Sequence, residues 1–240
     1  MAFFDATTGE IVVRIVYDGL GTAGKTTNLR GLHAAFPDRT RGELIGFDEN
    51  ASGRTLYFDW LELSVGHIDE WPLRCQVISV PGQFVYAHRR FHLLREIDGA
   101  VMVCDSTPQG VIAGAIAMSF LYKALIGSGN HEAPVVLQAN KQDVAGALAP
   151  EIVADRMPFL PRATVGASAL TGDGIRLTLL RSLDLVRGTV RARLGGRDAT
   201  VLPAATETAE QLHAALVASD QAEDSPELVE ALDTALQQVK

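Results

Sequence analysis

The sequence predicts an α/β fold, a six-stranded, mostly parallel sheet flanked by helices, with an acidic helical tail at the C-terminus. Three observations predict it. Short apolar or β-branched runs alternate with longer stretches of helical spacing, the pattern of a doubly wound sheet. The first such run opens directly into a glycine-rich loop and then a helix, and ligands of these sheets gather at the carboxyl ends of the strands. Nearly all of the net charge of −8 lies in residues 205–240, where eight carboxylates face one base, Lys240. The division that follows is a body over 1–194, a linker over 195–206 and a tail over 207–240.

Strands are predicted at 11–17 (IVVRIVY), 54–64 (RTLYFDWLELS), 73–80 (LRCQVISV), 99–106 (GAVMVCDS), 133–140 (APVVLQAN) and 162–169 (RATVGASA). The fourth and fifth are short continuous apolar runs, as strands buried on both faces require; the second alternates, with the third as its partner, and the sixth is weaker. Helices are predicted at 26–35, 84–96, 109–127, 150–158 and 174–194. The helix at 110–127 is apolar nearly all the way round. It is short for a membrane span once Lys123 is counted, and it sits between two strands, so it reads as a crossover helix. Both its faces are expected to be covered, which suits self-association through residues 110–127.

Beyond Arg193, LGGRDATVLPAAT reads as the linker. Leu212 and Leu216, then Leu228, Leu232, Leu236 and Val239, recur at helical spacing, and Ser225-Pro226 marks a new helix start. The tail is expected either to stay solvated or to dock on the body or a partner. Arg176, Arg181, Arg187, Arg191 and Arg193 concentrate bases on the last helix of the body, so the docked alternative has the acidic tail folding onto that helix and masking a partner surface.

Composition removes several classes. The chain is 47% hydrophobic and 21% charged, values of a globular protein. No basic patch of a nucleic-acid binder is present. The start MAFFDATTGE lacks a basic-then-apolar leader, and neither a myristoylation glycine nor a prenylation cysteine is found, so no export signal and no lipid anchor are expected. Cys75 and Cys104 lie in apolar runs without metal-ligand spacing and are expected as buried thiols.

The stretch GLGTAGKT, Gly19 to Thr26, fits G-x-x-x-x-G-K-[ST] between a strand and a helix, the context this motif needs. Its glycines let successive amides curl inward at phosphate oxygens, with the helix dipole behind them. Gly19, Gly21, Thr22, Ala23, Gly24 and Thr27 would line the phosphates. Lys25 would bridge the β- and γ-phosphates, and the Thr26 hydroxyl would reach Mg²⁺. NKQD, Asn140 to Asp143, follows the fifth strand at once. The Asp143 carboxylate can accept two hydrogen bonds from guanine, a pairing adenine cannot return. Asn140 would tie the base loop to the phosphate loop, and the stem of Lys141 would cover the purine. A backbone amide of Ser168 or Ala169 is placed to meet the guanine carbonyl.

The order of these motifs resembles a Ras-superfamily small GTPase over residues 10 to about 192, a Ras-like P-loop G domain. GKTTNL, RTLYFDWL, VPGQ and NKQD together are similar to the bacterial gliding-motility and cell-polarity GTPases, the mutual gliding protein A family. The last 45 residues lie outside the resemblance. It implies GTP/GDP as the bound nucleotide with Mg²⁺ held by Thr26 and Thr55. It implies Arg54 as a built-in arginine finger, Gln83 as the residue orienting the attacking water, and Gly82 as an amide for the γ-phosphate. It further implies a roadblock/LC7-type activator, downstream polarity or motility effectors, and a cytoplasmic protein concentrated at a cell pole.

One position departs from the superfamily. Most small GTPases carry an aspartate where Ser79 stands, and that aspartate holds Mg²⁺ through water. The resembled family also has a small hydroxyl residue there. Asp59 is the nearest alternative carboxylate in sequence, the competing reading being an exposed strand acid. The rival functional reading is a non-hydrolysing GTP-binding scaffold that recruits partners through the apolar third helix and the acidic tail. An ATP-using P-loop kinase is disfavoured by NKQD.

Overall fold

The computed structural model describes residues 2–5, 7–47, 57–82, 87–195 and 207–222. Among these, eight strands form one sheet, in the order β3-β4-β5-β2-β6-β7-β8, with β1 beside β2. The six predicted strands are β2 (Glu10–Asp18), β4 (Asp59–Ile68), β5 (Trp71–Ser79), β6 (Gly99–Asp105), β7 (Val135–Asn140) and β8 (Ala163–Gly166). The part of the predicted second strand at 54–56 lies outside the described residues.

Two strands add to the six. β1 (Phe3–Asp5) pairs antiparallel with the start of β2 and is too short to show any periodicity. β3 (Arg41–Gly46), on the sheet edge, is RGELIG. Its two glycines suppress strand propensity, and pairing with β4 across Ile45↔Trp60 and Gly46↔Asp59 forms it instead. The sheet is parallel from β5 through β2, β6 and β7 to β8, and antiparallel across β3-β4-β5.

Alternation along β2 assigns the two faces. Ile11, Val13, Ile15 and Tyr17 lie with Leu29 and Leu32 of α1 (Lys25–Ala35) and with Leu179, Leu183 and Val186 of α5 (Ile175–Gly195). On the opposite face, Val16, Ile78, Ala100, Met102 and Leu137 lie under α2 (Ala87–Leu94), α3 (Pro108–Gly127) and α4 (Pro150–Asp155). Cys75 and Cys104 are buried free thiols.

α3 begins at a Thr107 cap, whose hydroxyl accepts from the Gly110 amide at 3.1 Å, followed by Pro108. By length and composition it could cross a membrane, but its stripe Val111, Gly114, Ala117, Met118, Leu121 and Leu125 is spent on the sheet. Among the described residues the outer face of α3 stays open: Ile112 and Ile126 are 67% and 63% exposed.

The tail is partly described. α6 (Ala209–Ala222) starts in a reciprocal capping box: Gln211 N donates to Thr208 Oγ1 at 3.3 Å, and Thr208 N to Gln211 Oε1 at 2.9 Å. Ala209, Leu212 and Leu216 are buried with Phe58, Trp60 and α2 on the α2–α3 face. This seat lies on the face of the sheet opposite α5. Three of the α5 arginines are engaged locally: Arg176 lies over Phe36, Arg187 meets Asp184 and the Val65 carbonyl, and Arg191 meets Asp69. Residues 223–240, with the second leucine stripe, lie outside the described residues.

Candidate nucleotide site

β2 delivers the chain to the phosphate loop through Asp18. Its Oδ1 accepts from the Gly19 amide at 2.7 Å, and its Oδ2 pairs with Arg90 Nη2 of α2 at 2.7 Å. Both partners are buried, so this pair fixes the base of the loop to α2. Thr22 has φ +67° and Gly24 φ +104°, which turns the intervening amides inward. Gly24 is required twice over, since a Cβ there would also run into the Asn140 side chain. As the N-cap of α1 it brings no capping side chain, and the first turn holds no acid. The helix start therefore stays open to an anion.

Lys25 is 7% exposed, and its Nζ donates to the carbonyls of Gly19 at 2.8 Å and Leu20 at 2.9 Å. Burial pulls its ammonium down to about 8, against the opposing pull of Asp18; Arg90 lowers it further and Asp59 raises it. Gly82 closes over the loop. Its carbonyl accepts from the Gly21 amide at 3.0 Å, and a Cβ on it would collide with Gly21 N and Lys25 Nζ. Thr27 is exposed on the first turn of α1.

The departure at Ser79 resolves through sheet register. Asp59 on β4 lies directly opposite Ser79 on β5. Its Oδ2 accepts from Ser79 Oγ at 2.9 Å and from Thr26 Oγ1 at 2.7 Å. Asp59 is buried, so the reading of an exposed strand acid is set aside. A carboxylate thus stands beside the phosphate-loop threonine after all, contributed by the neighbouring strand. Asp59 lies within RTLYFDWL, but its relation to Ser79 exists only once β4 and β5 pair.

This donor set of one carboxylate and two hydroxyls suits a hard cation that keeps waters and takes phosphate oxygens as further ligands, as Mg²⁺ does. No group of three or more His, Cys, Asp or Glu suited to a metal occurs among the described residues. A metal here would therefore depend on phosphates for much of its coordination.

At the end of β7, Asn140 Nδ2 donates to the Ala23 carbonyl at 2.7 Å, and its Oδ1 accepts from the Ala169 amide at 2.9 Å. One buried amide therefore joins the phosphate loop, the NKQD turn and the 168–169 turn. The Ser168 amide donates to the Asp173 carbonyl. Of the two amides considered for the guanine carbonyl, each already has a partner within the protein. Lys141, at φ +67°, donates to Asp105 Oδ2 at 2.6 Å, which holds its stem along the mouth of the site. Burial raises the Asp105 carboxyl, but the bonds from Lys141 and Thr107 outweigh it and hold it below the usual carboxylate range. Asp105 was not singled out in the sequence, where it is one acid at the end of an apolar run. Asp143 is exposed, available to a base. Arg54, Thr55 and Gln83 lie outside the described residues.

A loop of inward amides backed by a buried lysine and tied by Asn140 to a base-recognition turn, at the carboxyl ends of a doubly wound sheet, defines a Ras-like P-loop domain. No family model matches the chain. Over 188 residues it is 34% identical to the mutual gliding-motility protein MglA of Myxococcus xanthus (strain DK1622), covering 78% of this chain and 96% of that protein. The chain belongs to that family of small GTPases, and it carries additional residues beyond the match.

Proposed function

We propose that this protein is a GTP/GDP switch that hydrolyses GTP slowly, is stimulated by a roadblock/LC7-type activator and controls cell polarity or gliding motility. The observation that carries the reading is the Thr26–Asp59–Ser79 cluster beside an intact phosphate loop, which supplies the metal-side carboxylate that Ser79 alone lacks. The relative's name supports the motility assignment. In this reading Thr26 and Thr55 would hold Mg²⁺ with Asp59 and Ser79 beside them, and the ion would neutralise charge on the phosphates. Lys25 binds those phosphates, Asp143 selects guanine, Gln83 positions water and Arg54 meets charge developing on the transferred phosphoryl group. The protein works in the cytoplasm at a cell pole, and the exposed Ile112–Ile126 face of α3 serves self-association or an effector.

Single-turnover GTP hydrolysis, with and without a roadblock/LC7 partner, tests this. Arg54→Ala and Gln83→Ala are each expected to lower the stimulated rate by about 10³-fold or more. Gly21→Val is expected to bind GTP but turn it over at least about tenfold more slowly, since its Cβ has room while the rest of the side chain crowds the approach to Gly82. An unchanged rate in Gly21→Val would sink that assignment. Tight GTP binding with no turnover under any condition would favour the scaffold instead.

Binding should also depend on pH. Phosphate oxygens beside Lys25 raise its pKa above the value near 8 that it has in this structure. Binding strength is therefore fully present below pH 8 and declines as pH rises, by up to about tenfold per unit until the bound-state pKa is reached. Calorimetry of GDP binding at pH 7 to 9.5, in buffers of different ionisation enthalpy, should show proton uptake that grows with pH. Constant affinity across that range would contradict the role of Lys25.

A further inference from the structure

α6 sits against both ends of the segment that contains Arg54 and Thr55. The His213 ring stacks on Phe47 at 4.4 Å between centroids and meets Tyr57 edge-on at 4.6 Å. Phe47 and Tyr57 immediately flank residues 48–56. Leu212 and Leu216 are buried among Phe58 and Trp60, which flank Asp59 at the start of β4. α6 also packs against α2, the helix that follows Gln83 and holds Arg90 on Asp18. One helix thus touches the flanks of both segments to which catalytic roles are assigned.

The body carries polar groups suited to this occupant. Arg14 and Gln76 are buried beside the apolar seat, and Arg14 Nε and Nη2 donate to Gln76 Oε1 at 3.2 and 3.0 Å; a neutral amide leaves the buried guanidinium charge to be met by a carboxylate. Arg14 Nη2 pairs with Glu207 Oε2 at 2.9 Å, and Gln76 Nε2 donates to the Glu207 carbonyl at 3.1 Å. The first residue of the described tail therefore meets both groups, and its capping box sets the helix direction from there.

We propose that α6 is an intramolecular clasp on the nucleotide switch. It fills a surface made by Phe47, Tyr57, Phe58, Trp60 and α2, restrains these flanking residues and α2, and slows nucleotide release. The proposal rests on the guanine-nucleotide reading above. Because Phe47 and Tyr57 are held on one helix, a change in the spacing of these two residues strains or breaks the α6 contacts.

The test uses the full-length chain. Leu216→Asp places a charge in the buried seat, Glu207→Gln removes only the ion pair, and Glu210→Gln alters an exposed position of the same helix. Hydrogen exchange of α6 and of residues 57–60 is measured together with release of fluorescent GDP. Leu216→Asp should lose protection in both regions and release GDP faster by about tenfold or more. Glu207→Gln should move both readouts in the same direction by less, and Glu210→Gln should match the parent. Should Leu216→Asp fail to fold, Glu207→Gln carries the test alone, and parental exchange and release in it would overturn the proposal. Loss of protection in α6 with unchanged protection at 57–60 and unchanged release would also overturn it. If the parent bound no guanine nucleotide the switch reading would fall, while exchange at 57–60 would still decide whether α6 holds the strand.

Discussion

Replacing Asp59 by alanine is expected to cut the Mg²⁺-dependent part of guanine-nucleotide affinity by about 10–100-fold, the usual cost of removing a group that orients metal ligands. Asp59 accepts hydrogen bonds from both Thr26 and Ser79. Its loss leaves two hydroxyls without their acceptor and the metal side without a carboxylate. The register makes a sharper version possible. Because Asp59 and Ser79 are directly opposed, the exchange Asp59→Ser with Ser79→Asp keeps one carboxylate and one hydroxyl in the same cross-strand pair. It should recover much of the lost affinity. Ser79→Asp alone should not help, since it sets two carboxylates against each other in a buried place. Titration of GDP with and without Mg²⁺ reads all four proteins. Equal Mg²⁺ dependence in the parent and in Asp59→Ala would remove Asp59 from the metal site.

Arg90→Met is expected to destabilise the fold by about 3–5 kcal/mol, because it strands the fully buried Asp18 carboxylate. In a chain of this size that corresponds to a fall in Tm of roughly 6–20 °C. Asp18→Asn with Arg90→Met should be milder than Arg90→Met alone, because the asparagine carbonyl can still accept the Gly19 amide without a buried charge. Urea melts of the three proteins give the comparison. A cost under about 1 kcal/mol for Arg90→Met would mean the pair is solvated in solution and contributes little. The functional corollary is that α2 and the phosphate loop share this anchor, so a change at α2 reaches the nucleotide through two side chains.

What could be read in the chain follows what is local. The phosphate loop and NKQD are contiguous, with flanking elements that confirm them, and Lys25 and Asn140 occupy the positions their motifs require. β6 and β7 are legible because burial on both faces makes them nearly continuous apolar runs, and β4 because its residues alternate. β3 was not, since RGELIG is a strand only through its partner. Asp59 was visible only as an alternative, because its role depends on which residue of β5 it faces. The seat of α6 was missed for a similar reason. Charge density pointed to the arginines of α5, whereas Leu212 and Leu216 follow the apolar face, and only one carboxylate, Glu207, was needed to meet Arg14. Exposed ion pairs are weak beside apolar burial, so charge density does not signal this seat.

The central claim is guanine-nucleotide recognition at this loop. Its most direct measurement is the affinity of the full-length protein for GDP and ADP, with Mg²⁺, beside Asp143→Asn. GDP should bind more tightly than ADP by about 10³-fold or more, and Asp143→Asn should lose most of that preference. Comparable affinity for the two nucleotides, or a preference that survives Asp143→Asn, would contradict the account.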